Sequence, residues 1–134
     1  MRDLYDNLLT EISLFLQVLT AAANGDVIID LQGYKGVLIQ VFSGTITDGT
    51  SYEFELKEGD ESDLSDAAAV ADDDLLGDEP TFLAADDDEV KEFGYIGSKR
   101  YIRLDLKTVV GSPSTDGVFG AAVVKGFARH APTR

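Results

Sequence analysis

The side chains of this sequence with the most obvious capacity for chemistry are carboxylates, and they come in clusters. Asp60-Glu61-Ser62-Asp63-Leu64-Ser65-Asp66, Asp72-Asp73-Asp74 and Asp86-Asp87-Asp88-Glu89 set hard oxygen donors close together, the donor type that calcium takes. The first cluster comes nearest to a calcium loop. It has neither the glycine at the sixth position nor the glutamate at the twelfth that an EF-hand loop uses. Solvated loops account for these runs, so no metal ligand is assigned. Paired carboxylates of the glycosidase kind carry no information in so acidic a chain, because abundance is not a site. Nucleophilic catalysis needs a base beside the nucleophile, and the single histidine, His130, lies in a proline-containing tail. The Gly33 to Gly36 and Gly94 to Gly97 pairs lack the helix start and lysine of a phosphate cradle. No catalytic residue and no cofactor is therefore assigned, and the chain is expected not to be an enzyme.

Binding chemistry is easier to place. Tyr34, Tyr52, Tyr95 and Tyr101 offer rings for carbohydrate stacking, although core packing and cross-strand pairing explain most strand tyrosines. Tyr101, Arg103 and Lys107 form an aromatic and basic stripe in an acidic protein, which suits an interface. Leu4, Leu8, Ile12 and Phe15 near the start, and Arg129 near the end, complete the expected interface set.

Those residues need elements to hold them. From Tyr101 to Lys107, Ile102, Leu104 and Leu106 alternate with Tyr101, Arg103, Asp105 and Lys107, the pattern of a half-buried strand. With Gly94-Tyr95-Ile96 before it, the Gly97-Ser98 step reads as a hairpin corner. Tyr52, Phe54 and Leu56 alternate with Glu53, Glu55 and Lys57 in the same way. Val37 to Phe42 is almost continuously apolar, which predicts a central strand covered on both faces. Val27 to Leu31 and Val118 to Lys125 supply further strands. Residues 60 to 92 read as a long acidic connection, with Ser65 or Asp66 capping a short helical turn through the alanines. At the start, the spacing of Leu4, Leu8, Ile12, Phe15 and Leu19 fits an amphipathic helix, and an apolar arm would show the same composition. The expectation is an all-β chain: an antiparallel β-sandwich, with a jelly roll as one form of it. Residues 1–23 form a helix or arm, and residues 24–134 form the sandwich with its acidic insertion.

A chain of 134 residues with no cysteine makes one domain without disulfides or thiolate metal sites. Its net charge of −14 argues against nucleic acid and anionic membrane as partners. The charge is unevenly spread. Residues 1–52 hold 2 basic and 6 acidic groups, residues 53–92 hold 2 and 17, and residues 93–134 hold 7 and 2. Opposite surfaces of this kind can meet within one chain or between the copies of a homo-oligomer, and a solvated acidic loop region gives the same split. No apolar run is long enough to span a bilayer. The apolar run to Leu19 before Ala21-Ala22-Ala23 has the outline of a secretory signal. Its leading segment is acidic through Asp3, Asp6 and Glu11, where a signal needs positive charge, so the chain is expected to be uncleaved and made in the cytoplasm.

Several stretches together resemble a known group. They are Asp30-Leu31-Gln32-Gly33-Tyr34, Gly44-Thr45-Ile46-Thr47-Asp48-Gly49-Thr50 before Phe54-Glu55-Leu56-Lys57-Glu58, and Gly94-Tyr95-Ile96-Gly97-Ser98-Lys99-Arg100-Tyr101-Ile102-Arg103. Val118-Phe119-Gly120-Ala121, Val123-Val124-Lys125-Gly126 and the Arg129-His130 tail complete the set. In these the chain is similar to small tailed-bacteriophage virion proteins of the head decoration, or cement, type, over residues 24 to 130. The motifs are structural, not catalytic. The resemblance implies a virion protein present in many copies on the outside of a capsid lattice, with the major capsid protein and copies of itself as partners. A head-tail connector or tail component and a carbohydrate-binding β-sandwich are the alternatives. One departure is the middle loop, where Asp63 to Ala69 replaces an aromatic and polar stretch and tryptophan is absent.

Overall fold

Period-2 alternation dictates strands almost throughout, and strands are what form. A computed structural model describes residues 4–46, 49–111 and 117–128. The elements in order are β1 (Leu9–Val18), β2 (Ile29–Asp30), β3 (Tyr34–Ser43), β4 (Gly49–Gly59), β5 (Ala68–Ala69), a 3-10 turn (Asp72–Asp74), β6 (Leu75–Leu76), β7 (Thr81–Leu83), β8 (Val90–Tyr95), β9 (Tyr101–Gly111) and β10 (Val118–Ala128). A first sheet has the order β1-β10-β3-β8-β6. A second has β2-β9-β4-β5, with β7 also on β4. All pairings are antiparallel. The two sheets pack into the expected β-sandwich. Its nesting, first strand beside last and second beside second-to-last, is the strand order of a jelly roll.

The nesting overturns the hairpin reading. β8 lies in the first sheet and β9 in the second, so Gly97-Ser98 turns the corner between sheets. A hairpin and a sheet-to-sheet arch use the same turn residues and the same flanking alternation, so sequence does not separate them. Tyr95 organises this corner. Its side chain lies so close to Gly97 that any added Cβ would meet the hydroxyl oxygen at 2.5 Å and ring atoms at 2.6 Å. Its hydroxyl donates to Glu58 Oε1 at 2.7 Å and accepts the Lys99 amide at 3.1 Å. Burial, together with that carboxylate, pushes the phenol well above its ordinary pKa of 10.0. An unfolded chain therefore loses this proton near pH 10 while the folded chain keeps it, and the stability held below that pH declines as pH rises. Tyr95→Phe is expected to show a shallower alkaline decline than wild type in denaturant midpoints measured across the tyrosine range.

Three other expectations change. The N-terminal stripe is strand, not helix: β1 pairs with β10, with register breaks between Ile12 and Leu14 and between Leu14 and Gln17. Bulges of this kind interrupt period 2, and apolar residues on both faces leave a pattern that also fits a helix. Ala67 to Ala71 does not form a helix; β5 pairs with β4 there before the 3-10 turn, so tertiary pairing overrides alanine's helix propensity. β3 is covered on one face only. Ile39 and Val41 are fully buried while Leu38 is exposed.

The core sits between the sheets. Phe119 of β10 stacks against Tyr52, Phe54 and Phe82 from the opposite sheet at centroid distances of 4.7, 5.4 and 5.2 Å. Beyond β1 the chain runs beside the edge of β9 that faces away from β4, where Ala23 bridges Leu106 and the Gly25 amide donates to Asp105 Oδ1 at 2.7 Å. A Cβ at Gly25 would collide with the Leu104 carbonyl oxygen. That oxygen belongs to a central strand and cannot yield, so Gly25→Ala should cost about 2 kcal/mol, read as a lowered thermal midpoint.

Candidate interaction surface

The outer face of the first sheet is built from the residues that alternate with its core. β3 sends Leu38, Gln40 and Phe42 outward between Ile39 and Val41; β10 sends Ala122 and Val124 outward between Ala121 and Val123. β1 adds Ile12, Leu16 and Val18, β8 adds Val90, and β6 adds Leu76, all exposed. Glycines of the central strands are overlain by large neighbours: a Cβ at Gly120 would meet the Phe42 ring at 2.7 Å, one at Gly126 would meet Leu8 at 2.9 Å, and one at Gly36 would meet Phe127 at 2.6 Å. The result is a low, mainly apolar surface. Among the described strand residues facing this way, the one charged group is Glu92, whose Oε2 accepts Gln40 Nε2 at 2.7 Å.

Phe127 departs from the strand geometry. Its φ is +50°, a left-handed conformation that costs a bulky residue of order 1 kcal/mol or more, and its side chain is 78% exposed. The strain turns an aromatic ring towards water, beside a groove of about 430 Å³ lined by Leu8, Leu38, Leu76, Ile96 and Val124. Strain retained for exposure points to a surface that is covered in use.

The outer face of the second sheet is charged. In register, Glu55 faces Asp105 and Lys57 faces Arg103, so like charges sit opposite each other, which is unfavourable across strands. Compensation runs along each strand instead. Lys57 bonds Glu55 at 2.7 Å, and Arg103 bonds Asp105 at 2.7 Å. Lys107 lies 3.7 Å from Glu53 and 3.6 Å from Glu55. Glu55 is held below the usual carboxylate range, chiefly by its hydrogen bond from Lys57 against the opposing effect of burial.

The expected interface residues thus divide. Leu8 and Ile12 lie on the apolar face, Phe15 is exposed on the edge strand β1, and Leu4 is exposed ahead of it. Tyr101, Arg103 and Lys107 are on the opposite, charged face; Tyr101 carries the Arg100 guanidinium 5.0 Å from its ring centre, and the other two are engaged within the chain. Arg129 lies outside the described residues. Leu38, Phe42, Val124 and Phe127 were not among the expected residues. The available signal was the two-sided apolar run of β3, read as burial on both faces.

The other candidates resolve into structure. Asp66 accepts the Asp60 and Glu61 amides at 2.9 and 3.3 Å, Asp63 accepts the Ser65 amide at 3.0 Å, and Asp86 accepts the Leu83 amide at 2.8 Å. Those amide bonds are the main reason each of the three carboxyls is held below its ordinary range. Among the described residues no three His, Asp or Glu side chains converge as a metal site. Tyr52 and Tyr95 are core residues, and the Tyr34 ring has Lys125 Nζ 4.6 Å from its centre. No protein-family model matches this chain, and no curated protein matches it significantly.

Proposed function

We propose that this chain is a non-enzymatic structural subunit of a phage virion, decorating the outside of a capsid lattice and stabilising it. The observation that carries the reading is the apolar outer face of the first sheet, in a protein whose net charge is −14. Water-exposed apolar surface is unfavourable by about 25 cal/mol per Å², and a contiguous patch of several hundred Å² marks a place where something binds. A cement protein works in this way: it binds the assembled shell in preference to its parts and shifts the equilibrium towards assembly. The sequence likeness to head decoration proteins supports the kind of particle. Carbohydrate stacking has less support, because two of the four tyrosines considered for it are in the core and the other two are flanked by cations.

The purified chain mixed with undecorated shells is expected to bind saturably, with a stoichiometry that scales with the lattice, and to raise the temperature at which the shells come apart. Absence of binding overturns the proposal. Saturation at a copy number confined to one vertex moves the chain to the connector.

A further inference from the structure

We infer that the cleft between the turn leading into β3 and the arch from β8 to β9 is a binding site for a sugar acid, a monosaccharide-sized ring bearing one carboxylate. The inference goes beyond the proposed virion role and does not depend on it. The cleft opens at one end of the sandwich and has a volume of about 280 Å³, with the turn residues Gln32 to Lys35 and Gly97 to Arg100 as its rim and Leu31 and Val37 as its apolar part. That volume is at the small end of the range for ligand sites.

The rim is held in place by the chain's own bonds. The Leu31 amide donates to the Arg100 carbonyl oxygen at 2.8 Å, and the Arg100 guanidinium holds both Asp30 carboxylate oxygens at 2.9 Å, so the two turns are stitched together. Within the first turn Gly33 takes a φ of +91°, the Tyr34 amide donates to the Leu31 carbonyl oxygen at 3.1 Å, and the Gln32 amide donates to Asp30 Oδ1 at 3.0 Å. In the arch, Lys99 is anchored at both ends, by its amide on the Tyr95 hydroxyl at 3.1 Å and by its ammonium on Asp60 at 2.9 Å. Lys99 and Arg100 are neutralised within the chain and supply position, not free charge. A rim fixed in this way lowers the ordering cost of binding.

What is left unpaired decides the ligand. Among the described residues, no hydrogen bond or ion pair engages the side chains of Gln32, Lys35 or Ser98. Lys35 is therefore the free cation of the rim, and no carboxylate lines the cleft although the chain has 25 acidic residues. One free ammonium matches one negative charge. A phosphate carries about −1.5 to −2 at pH 7, and its second charge would stand uncompensated in the field of a chain of net charge −14. The Gln32 amide and the Ser98 hydroxyl both donate and accept, as sugar hydroxyls do, and Tyr34 adds ring surface to the wall. Lys35 thus reads the carboxylate, and the neutral groups read the ring.

Calorimetric titration and amide-shift NMR of the full chain with glucuronate are expected to show saturable binding with a Kd on the order of 1 mM. The amides of Gln32 to Lys35 and Gly97 to Arg100 should move, and added salt should weaken binding. Glucose, which lacks the carboxylate, and acetate, which lacks the ring, should each bind at least about fivefold more weakly. Lys35→Ala, at an exposed and unpaired side chain, should lower glucuronate affinity by a similar factor at an unchanged thermal midpoint. Lys107→Ala, on the charged face, should leave affinity unchanged. Absence of saturable binding up to about 50 mM overturns the inference. So does glucose or acetate binding as well as glucuronate, inorganic phosphate binding more tightly, or a Lys35→Ala chain that binds as wild type does. Binding to shells is a separate readout, and its failure refutes the virion role alone.

Discussion

Replacing Phe119 with alanine is expected to cost about 4 kcal/mol of folding stability. Phe119 is fully buried, and its ring touches those of Tyr52, Phe54 and Phe82. Truncation removes the transfer free energy of a phenyl ring and also the edge and tilted ring contacts, which contribute about 0.5–1.5 kcal/mol each. The cavity has little means of closing. β10 is paired on both sides, by β1 and β3, and the three partner rings come from β4 and β7 of the other sheet. Urea unfolding should show a midpoint shift of that size with an unchanged slope. A loss below about 2 kcal/mol would mean that the opposite sheet collapses onto the gap, and that the rings are less firmly held than their burial implies.

Much of the fold was legible because alternation reports faces. Tyr52, Phe54 and Leu56 and, opposite them, Ile102, Leu104 and Leu106 were expected inside and are inside. Alternation says nothing about neighbours, which is why β8 and β9 read as a hairpin although they belong to different sheets. The pairing of β1 with β10 joins residues more than a hundred positions apart, such as Leu9 and Lys125, and nothing local in either segment encodes it. The interface was partly legible for a related reason. Leu8 and Ile12 were singled out as apolar residues needing cover, but which surface they share with Leu38 and Phe127 depends on the same long-range pairing. The basic stripe of Tyr101, Arg103 and Lys107 was seen as alternation. Its neutralisation was not, because Arg103 and Lys107 find their carboxylates along β9 and on β4.

Asp105→Ala is the second large effect, expected at about 3–5 kcal/mol, the cost of removing one member of a buried ion pair. Asp105 points to the outer, charged side of β9 and yet is 5% exposed, with the Arg103 guanidinium and the Gly25 amide packed against its carboxylate. Its Oδ1 accepts the Arg103 Nε and the Gly25 amide, both at 2.7 Å, and Oδ2 accepts the second guanidinium nitrogen at 3.1 Å. Alanine leaves a covered guanidinium without its counter-charge and a covered amide without an acceptor, so three N–H donors lose their acceptor through one substitution. Asp105→Asn keeps the Oδ1 acceptor for the Arg103 Nε and Gly25 donors and should cost about half as much. The double variant Arg103→Ala with Asp105→Ala should be more stable than Asp105→Ala alone, since the unpaired cation has gone; equal stability would show that the pair is not coupled. Hydrogen exchange separates a latch from general core damage. Because the flanking segment is tied to β9 by the Ala23 bridge and this carboxylate, the Ala23 and Gly25 amides should lose protection in Asp105→Ala before those of β3 and β10 do. Uniform loss across all strands would place Asp105 in the global cooperative unit and remove the latch.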